Sequence, residues 1–186
     1  PSWLETTWIG QTELRKPNAE TYRVRRDGGV RGVFHNHTTE SDGTASLEEM
    51  VTEAAKLGYQ YIGISDHSQS AFYAHGLSVD RIRAQRKAIA SLQKRCGIRV
   101  FHGIESDILA DGTLDYPDSV LAEFDFVIGS IHSRFQMDEA AMTNRILRAM
   151  ENPYMTFWGH PSGRLLLGRE PYSLNWNQVF DAAKDN

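Results

Sequence analysis

The chain is poor in cysteine: Cys96 is the only one among 186 residues, so no intrachain disulfide can brace the fold. A reducing, cytoplasmic compartment is the simplest setting for such a sequence. Long apolar runs are missing too. None approaches the ~18 residues of a membrane span, which argues against a membrane partner. Nor is there an excess of positive charge. Lys and Arg total 20 against 24 Asp and Glu, for a net charge of -4. That balance argues against a broad basic face for gripping duplex nucleic acid. It leaves room for an acidic substrate at a metal site, because bound cations offset local carboxylates. Internal repeats and low-complexity stretches are absent. What remains is ordinary for a globular chain of one domain: 40% apolar and 24% charged residues.

Residues 1–31 are polar and aperiodic, and read as a linker or the tail of an upstream domain. From residue 32 the chain alternates short apolar runs with helical patterns. Strands are predicted over 33–37, 61–65, 98–103, 126–131 and 155–158. Between them, Leu47–Leu57 reads as a helix with a Ser46/Glu49 capping box. Ser78 caps a second helix, and Asp138 a third that runs to Met150, where Asn152-Pro153 stops it. Residues 107–118 carry turn signals, with a short helix after Pro117, and a last helix starts near Asn175. This alternation means parallel βα units, arranged as a barrel or as an open doubly wound sheet.

Five of the seven histidines fall at predicted strand ends: His35 and His37, His67, His132 and His160. Glu105 ends another strand. In parallel α/β folds the C-terminal strand ends converge on one face, so these separated residues are expected to meet. His35 and His37 are two apart, which on a regular strand puts both rings on one side, roughly 6–7 Å apart. Asp42, in a Ser-Asp-Gly turn, is placed to bend back toward them. A lone histidine or an Asp-Gly turn means little, but the combination is hard to ascribe to packing, since burying such groups unpaired is costly. Imidazole and carboxylate without thiolate suit zinc, manganese or iron in an open rather than a closed structural site. So many donors imply two or three ions. His75 sits in a loop that overhangs this face. His102 lies inside a strand, facing helices or solvent. Phe72 and Tyr73, in the same loop as His75, either stack a terminal base or pack on a helix.

The motifs His35-Asn36-His37, Ser41-Asp42-Gly43, Ser65-Asp66-His67-Ser68, Gly103-Ile104-Glu105, Ser130-Ile131-His132 and Gly159-His160-Pro161 together resemble the polymerase and histidinol phosphatase (PHP) family. The stretch from Gly159 to Arg169 is most similar to the C-terminal PHP domain of bacterial family X DNA polymerases. The resemblance implies an α/β fold, a distorted seven-stranded (β/α) barrel over residues 32–186, and a trinuclear metal centre. His35, His37 and Glu105 would hold one ion, and Asp42 and His67 a second. Glu105 would bridge to a third, bound also by His132 and His160. Asp66 is expected to orient its neighbour or a water. The family ends in an Asp-x-His motif that this sequence does not contain, so the domain is expected to be truncated before its last strands, with metal binding and activity weakened accordingly.

The implied activity is that of a metal-dependent phosphoesterase, a 3′–5′ exonuclease acting on a DNA 3′ end beside an upstream polymerase domain, in a DNA-repair setting. Arg164 and Arg134 are candidate phosphate clamps, Arg169 a weaker one. Two alternatives stay open. One is a phosphomonoesterase of the histidinol phosphatase type, acting on a phosphorylated small molecule. The other is an inactive, metal-stabilised scaffold domain.

Overall fold

The computed structural model describes residues 30–185. The linker or tail expected over residues 1–31 therefore lies outside the described residues, save its last two. Five strands form one all-parallel sheet: β1 (Gly32–Asn36), β2 (Tyr61–Ile64), β3 (Arg99–Asp107), β4 (Phe126–Ser130) and β5 (Phe157–Trp158). Their order in the sheet is their order in the chain. A doubly wound sheet would reverse direction at a switch point. The unbroken order decides for the barrel type, and the sheet curls into half a barrel. Five strands, not seven, are present among the described residues.

Helices follow from local signals. In α1 (Leu47–Lys56) the Ser46 side chain accepts from the Glu49 N–H, and the Glu49 carboxylate accepts from the Ser46 N–H. This satisfies two of the helix's free donors at once. Met50, Val51 and Ala54 point to the sheet. Ser78 caps α2 (Val79–Gln93), and Asp138 caps α4 (Glu139–Met150). The short α3 spans Asp118–Leu121. Before α5 (Trp176–Asp185), the Asn175 side chain accepts from the Gln178 N–H. No helix among the described residues is long and apolar enough to cross a membrane.

The helices bury their apolar faces in two clusters on the convex side of the sheet. One gathers Met50, Val51, Ile62, Ile64, Ile89 and Val100. The other joins Ile104, Ile108, Val127, Met142, Ile146 and Val179. On the concave side, Phe34 meets the rings of Tyr61, Phe101, Phe126 and Phe157 at 4.9–5.6 Å. Gly103 makes room for this stack, since a Cβ there would sit 2.3 Å from the Phe126 ring.

β3 is longer than its apolar run. Its first half pairs with β2, from Tyr61↔Arg99 to Ile64↔His102, and its second half pairs with β4, from Gly103↔Phe126 to Asp107↔Ser130. This stagger carries the strand four residues past Gly103, through Glu105, Ser106 and Asp107. Polar residues there hid the continuation from a hydrophobicity reading. β1 departs in the other direction. It bulges between Val33 and Asn36, and His35 takes a left-handed φ of 64°. His37 lies past the strand's end, so simple strand alternation does not describe the His-x-His pair.

His102 faces the helix layer, not solvent. It is buried against the Phe124 ring at 4.9 Å, with both ring nitrogens unpartnered. Burial, reinforced by the charge of Arg86, pulls its pKa down from 6.5 to about 4, against the pull of Asp125. The unfolded chain therefore takes up a proton near pH 6.5 that the folded chain refuses until about pH 4. The stability this supplies is complete above 6.5 and is lost as pH falls toward 4. Replacing His102 by Leu should remove that sensitivity. Urea unfolding at pH 7 and at pH 4.5 should show the variant losing less stability than wild type on acidification, by on the order of 2 kcal/mol. Equal losses would show that His102 titrates normally.

Candidate metal centre

At the C-terminal end of the sheet, side chains from all five strand ends meet on one carboxylate. Glu105 is 1% exposed. His35 Nε2 and His160 Nε2 each lie 2.9 Å from its Oε1, and His132 Nε2 lies 3.3 Å from the same oxygen. His67 Nδ1 and His37 Nε2 approach Oε2 at 3.1 and 3.4 Å. Asp42 closes the outer side, 3.4 Å from His37 and 3.5 Å from His67. Neighbouring imidazoles crowd to ring distances of 4.4–5.6 Å. All seven metal ligands expected from the sequence are thus brought together.

The backbone is bent to achieve this. His35 and His160 have left-handed φ values of 64° and 26°. Such conformations cost a non-glycine residue of order 1–3 kcal/mol and persist only where the surroundings impose them. Here the strain turns two rings onto Glu105.

Electrostatics follow from burial and crowding. Burial pulls the His37 pKa down to about 4, the nearby His67 and His35 adding to it, despite the carboxylates of Glu105 and Asp42. Burial likewise lowers His67. For His132, burial opposes the charge, but hydrogen bonds and charge from Asp107 and Glu105 outweigh it and raise the pKa to about 9. Glu105 stays ionised: burial disfavours its charge, yet hydrogen bonds from His132, His160 and His35 hold its pKa well below the usual carboxylate value.

A divalent ion fits this donor set. His37 Nδ1 and His67 Nδ1 are buried without a hydrogen bond, although each lies within 3.4 Å of a carboxylate oxygen. Proximity without hydrogen-bond geometry is what ligand atoms aimed at a common cation would show. Three groups have donor atoms within 4.8 Å of one another: His35, His37 and Glu105; His37, Asp42 and His67; and His67, Glu105 and His132.

Other expected residues fall around the cluster. Asp66 is fully buried, and its carboxylate accepts from Thr38 N–H (2.7 Å), Thr38 Oγ1 (2.8 Å), Ser41 Oγ (2.6 Å) and Gln85 Nε2 (2.6 Å). It fixes the turn that presents Asp42. Arg134 is exposed with a left-handed φ of 54°. Arg164 is exposed on the loop past His160, its N–H donating to Ser162 Oγ. Arg169 stacks on the Phe135 ring at 3.4 Å and donates to the Gly163 carbonyl. His75 is exposed.

Three further residues belong to the site. Asp107 accepts from His132 Nδ1 at 2.6 Å. Its spacing of two from Glu105 was the available signal, masked because its surroundings read as a turn. Asp115, in the same segment, accepts from Ser68, Ser70 and Ser106 and so braces the strand ends that carry His67 and Glu105. Arg145, on α4, is buried. Its guanidinium donates to the carbonyls of Ile108, Leu109 and Ser133, which follow Asp107 and His132. On an amphipathic helix it reads as a surface cation, and no local pattern marks it as buried.

The family model of the PHP domain matches residues 34–165, well over half of the chain. The chain belongs to the PHP domain family. Among its relatives, the DNA polymerase/3′-5′ exonuclease PolX of Bacillus subtilis (strain 168) is 42% identical over 158 residues, which cover 84% of this chain and 28% of that protein. A probable phosphatase of Caldicellulosiruptor bescii is 34% identical over 161 residues, covering 81% of this chain and 60% of that protein. A probable phosphatase of Caldicellulosiruptor saccharolyticus is 32% identical over 162 residues, covering 82% and 61%. The chain thus spans well under a third of the first of these PHP relatives and about three-fifths of the other two.

Replacing Arg145 by Leu strips the buried Ile108 carbonyl and the Ser133 carbonyl of the guanidinium donor, while the Leu109 carbonyl keeps the Gly112 N–H, and should lower the unfolding free energy by about 2 kcal/mol in urea titrations. A loss under about 1 kcal/mol would mean that water replaces the guanidinium.

Proposed function

We propose that residues 32–186 form a metal-dependent phosphoesterase domain that cleaves phosphodiester bonds at DNA 3′ ends, joined through residues 1–31 to a polymerase domain. The observation that carries this reading is the ring of five imidazoles on the buried Glu105 carboxylate. One carboxylate offers about four lone pairs and cannot satisfy them all. In the proposed centre His35, His37 and Glu105 hold one ion, Asp42 and His67 a second, and Glu105, His132 and His160 a third. Manganese, zinc or iron suits these donors, and ions so bound neutralise phosphoryl oxygens and supply a nucleophile derived from water.

The chain's own residues do the positioning. Asp107, accepting from Nδ1 of His132, fixes the tautomer that leaves Nε2 free to coordinate. Asp66, holding the 38–41 turn, sets the reach of Asp42. Arg164 and Arg134, exposed beyond His160 and His132, are the proposed clamps for substrate phosphate. The identity to the exonuclease-named PolX supports the DNA reading. A second reading, a phosphatase of phosphorylated small molecules, has its support in the relatives named probable phosphatases.

Incubation of 5′-labelled single-stranded DNA with the Mn²⁺-supplemented protein should give stepwise shortening from the 3′ end. Intact DNA alongside brisk phosphate release from monoesters would favour the phosphatase. Fewer than two bound ions and no hydrolysis of any ester would favour a scaffold. Glu105→Gln should lose more than about 100-fold in metal affinity, beyond what loss of a residue supporting a ligand costs. Undiminished metal content after dialysis of Glu105→Gln would refute the ligand assignment.

A further inference from the structure

The loop between β2 and α2 holds two large aromatic side chains out at the rim of the histidine cluster. Phe72 is 86% exposed and Tyr73 67%. Neither packs into the helix layer, where large aromatic rings are ordinarily buried. The Tyr73 ring stands edge-on to two imidazoles that meet on Glu105, with centroids 6.0 Å from His67 and 6.4 Å from His132.

The loop beneath these rings is cross-braced. The Tyr116 hydroxyl accepts from the Gln69 N–H at 3.0 Å and donates to the Leu77 carbonyl, tying the two ends of the loop together. Asp115 accepts from the Ser70 N–H at 2.9 Å, and Gln69 Nε2 donates to the Asp115 carbonyl at 2.5 Å. Within the loop, Ala74 and Gly76 N–H groups both donate to the Ala71 carbonyl, closing the 3₁₀ turn Phe72–Ala74. The turn folds back so tightly that a Cβ at Gly76 would lie 1.7 Å from the Ser68 carbonyl oxygen. His75 takes a left-handed φ of 55° to complete it. An aromatic ring presented on a braced turn loses little freedom when a partner stacks on it.

A flat ring tethered to a phosphate is the chemistry that uses both features at once. The phosphate belongs at the histidine cluster, and the ring falls one sugar away, at the rim. We propose that Tyr73 is a specificity-determining residue of this site: it stacks the base of the nucleotide whose phosphate is bound at the cluster, and Phe72 extends the platform toward the next base. This rests on the phosphoesterase reading above and adds the class of ester that the site prefers, one bearing a nucleobase.

Two labelled oligonucleotides that differ only at the 3′ terminus, thymidine in one and an abasic tetrahydrofuran residue in the other, test it on the full chain with Mn²⁺. Stacking of one base on an aromatic side chain corresponds to about 5- to 150-fold. Wild type should show a KM lower by a factor in that range for the base-bearing end. In Tyr73→Ala the two KM values should converge, and Tyr73→Phe, which keeps the ring, should retain the preference. Equal losses on both substrates in Tyr73→Ala, or an unchanged ratio, would overturn the proposal. Binding of an oligonucleotide ending in 2-aminopurine gives a readout that needs no turnover. Its fluorescence should be quenched by wild type and Tyr73→Phe but not by Tyr73→Ala. Quenching that depends on Tyr73 without hydrolysis of either substrate would defeat the phosphoesterase reading and leave the stacking intact. Hydrolysis with quenching indifferent to Tyr73 would do the reverse.

Discussion

A single buried carboxylate organises this molecule. Glu105 stands almost without solvent at the centre of five imidazoles, each from a different loop or strand end except the His35–His37 pair. A buried negative charge is affordable only when its surroundings stabilise it. The histidines do so in part, but they crowd one another, and burial works against charging His37 and His67. Neither the carboxylate nor the rings can all be satisfied by hydrogen bonds alone. Shared cations would resolve the conflict by accepting lone pairs from every side, which ties the proposed metal chemistry to the electrostatics of the fold itself.

The rest of the architecture serves the convergence. The half-barrel curl brings the strand ends to one rim, and the staggered pairing of β3 lifts Glu105 and Asp107 up to it. Around the rim, supports come from residues remote in sequence. Asp66 fixes the turn bearing Asp42, Asp115 joins Ser68 to Ser106, and Arg145 reaches from α4 to carbonyls beyond Asp107 and His132. Left-handed backbone at His35 and His160 shows where the chain yields to the site rather than to local preference.

Much of this was legible in the sequence. Capping residues located α1, α2 and α4, because a cap is a local hydrogen bond whose partners lie within one turn. The convergence of the candidate ligands was visible because parallel topology sends strand ends to one face, so polar residues placed there need not be near one another in the chain. Two kinds of feature escaped. Asp107 and Asp115 looked like turn formers, since nothing local says that a carboxylate in a polar segment is buried. The extent of β3 and the bulge of β1 depend on pairing with neighbouring strands, which no window along the chain contains. Arg145 combines both problems: its partners are carbonyls, which carry no residue signature.

The sequential strand order bears also on how the chain acquires its structure. Glu105 meets His160 across 55 residues, through a strand of only two residues at the sheet's edge. Contacts of such span form late, because the loop must close before they reward it. The pairs of Glu105 with His35 and His37 span still more of the chain, so most of the ring of imidazoles depends on late contacts. Until the rim residues gather, water would keep the carboxylate solvated, so its burial reports that the described sheet has curled.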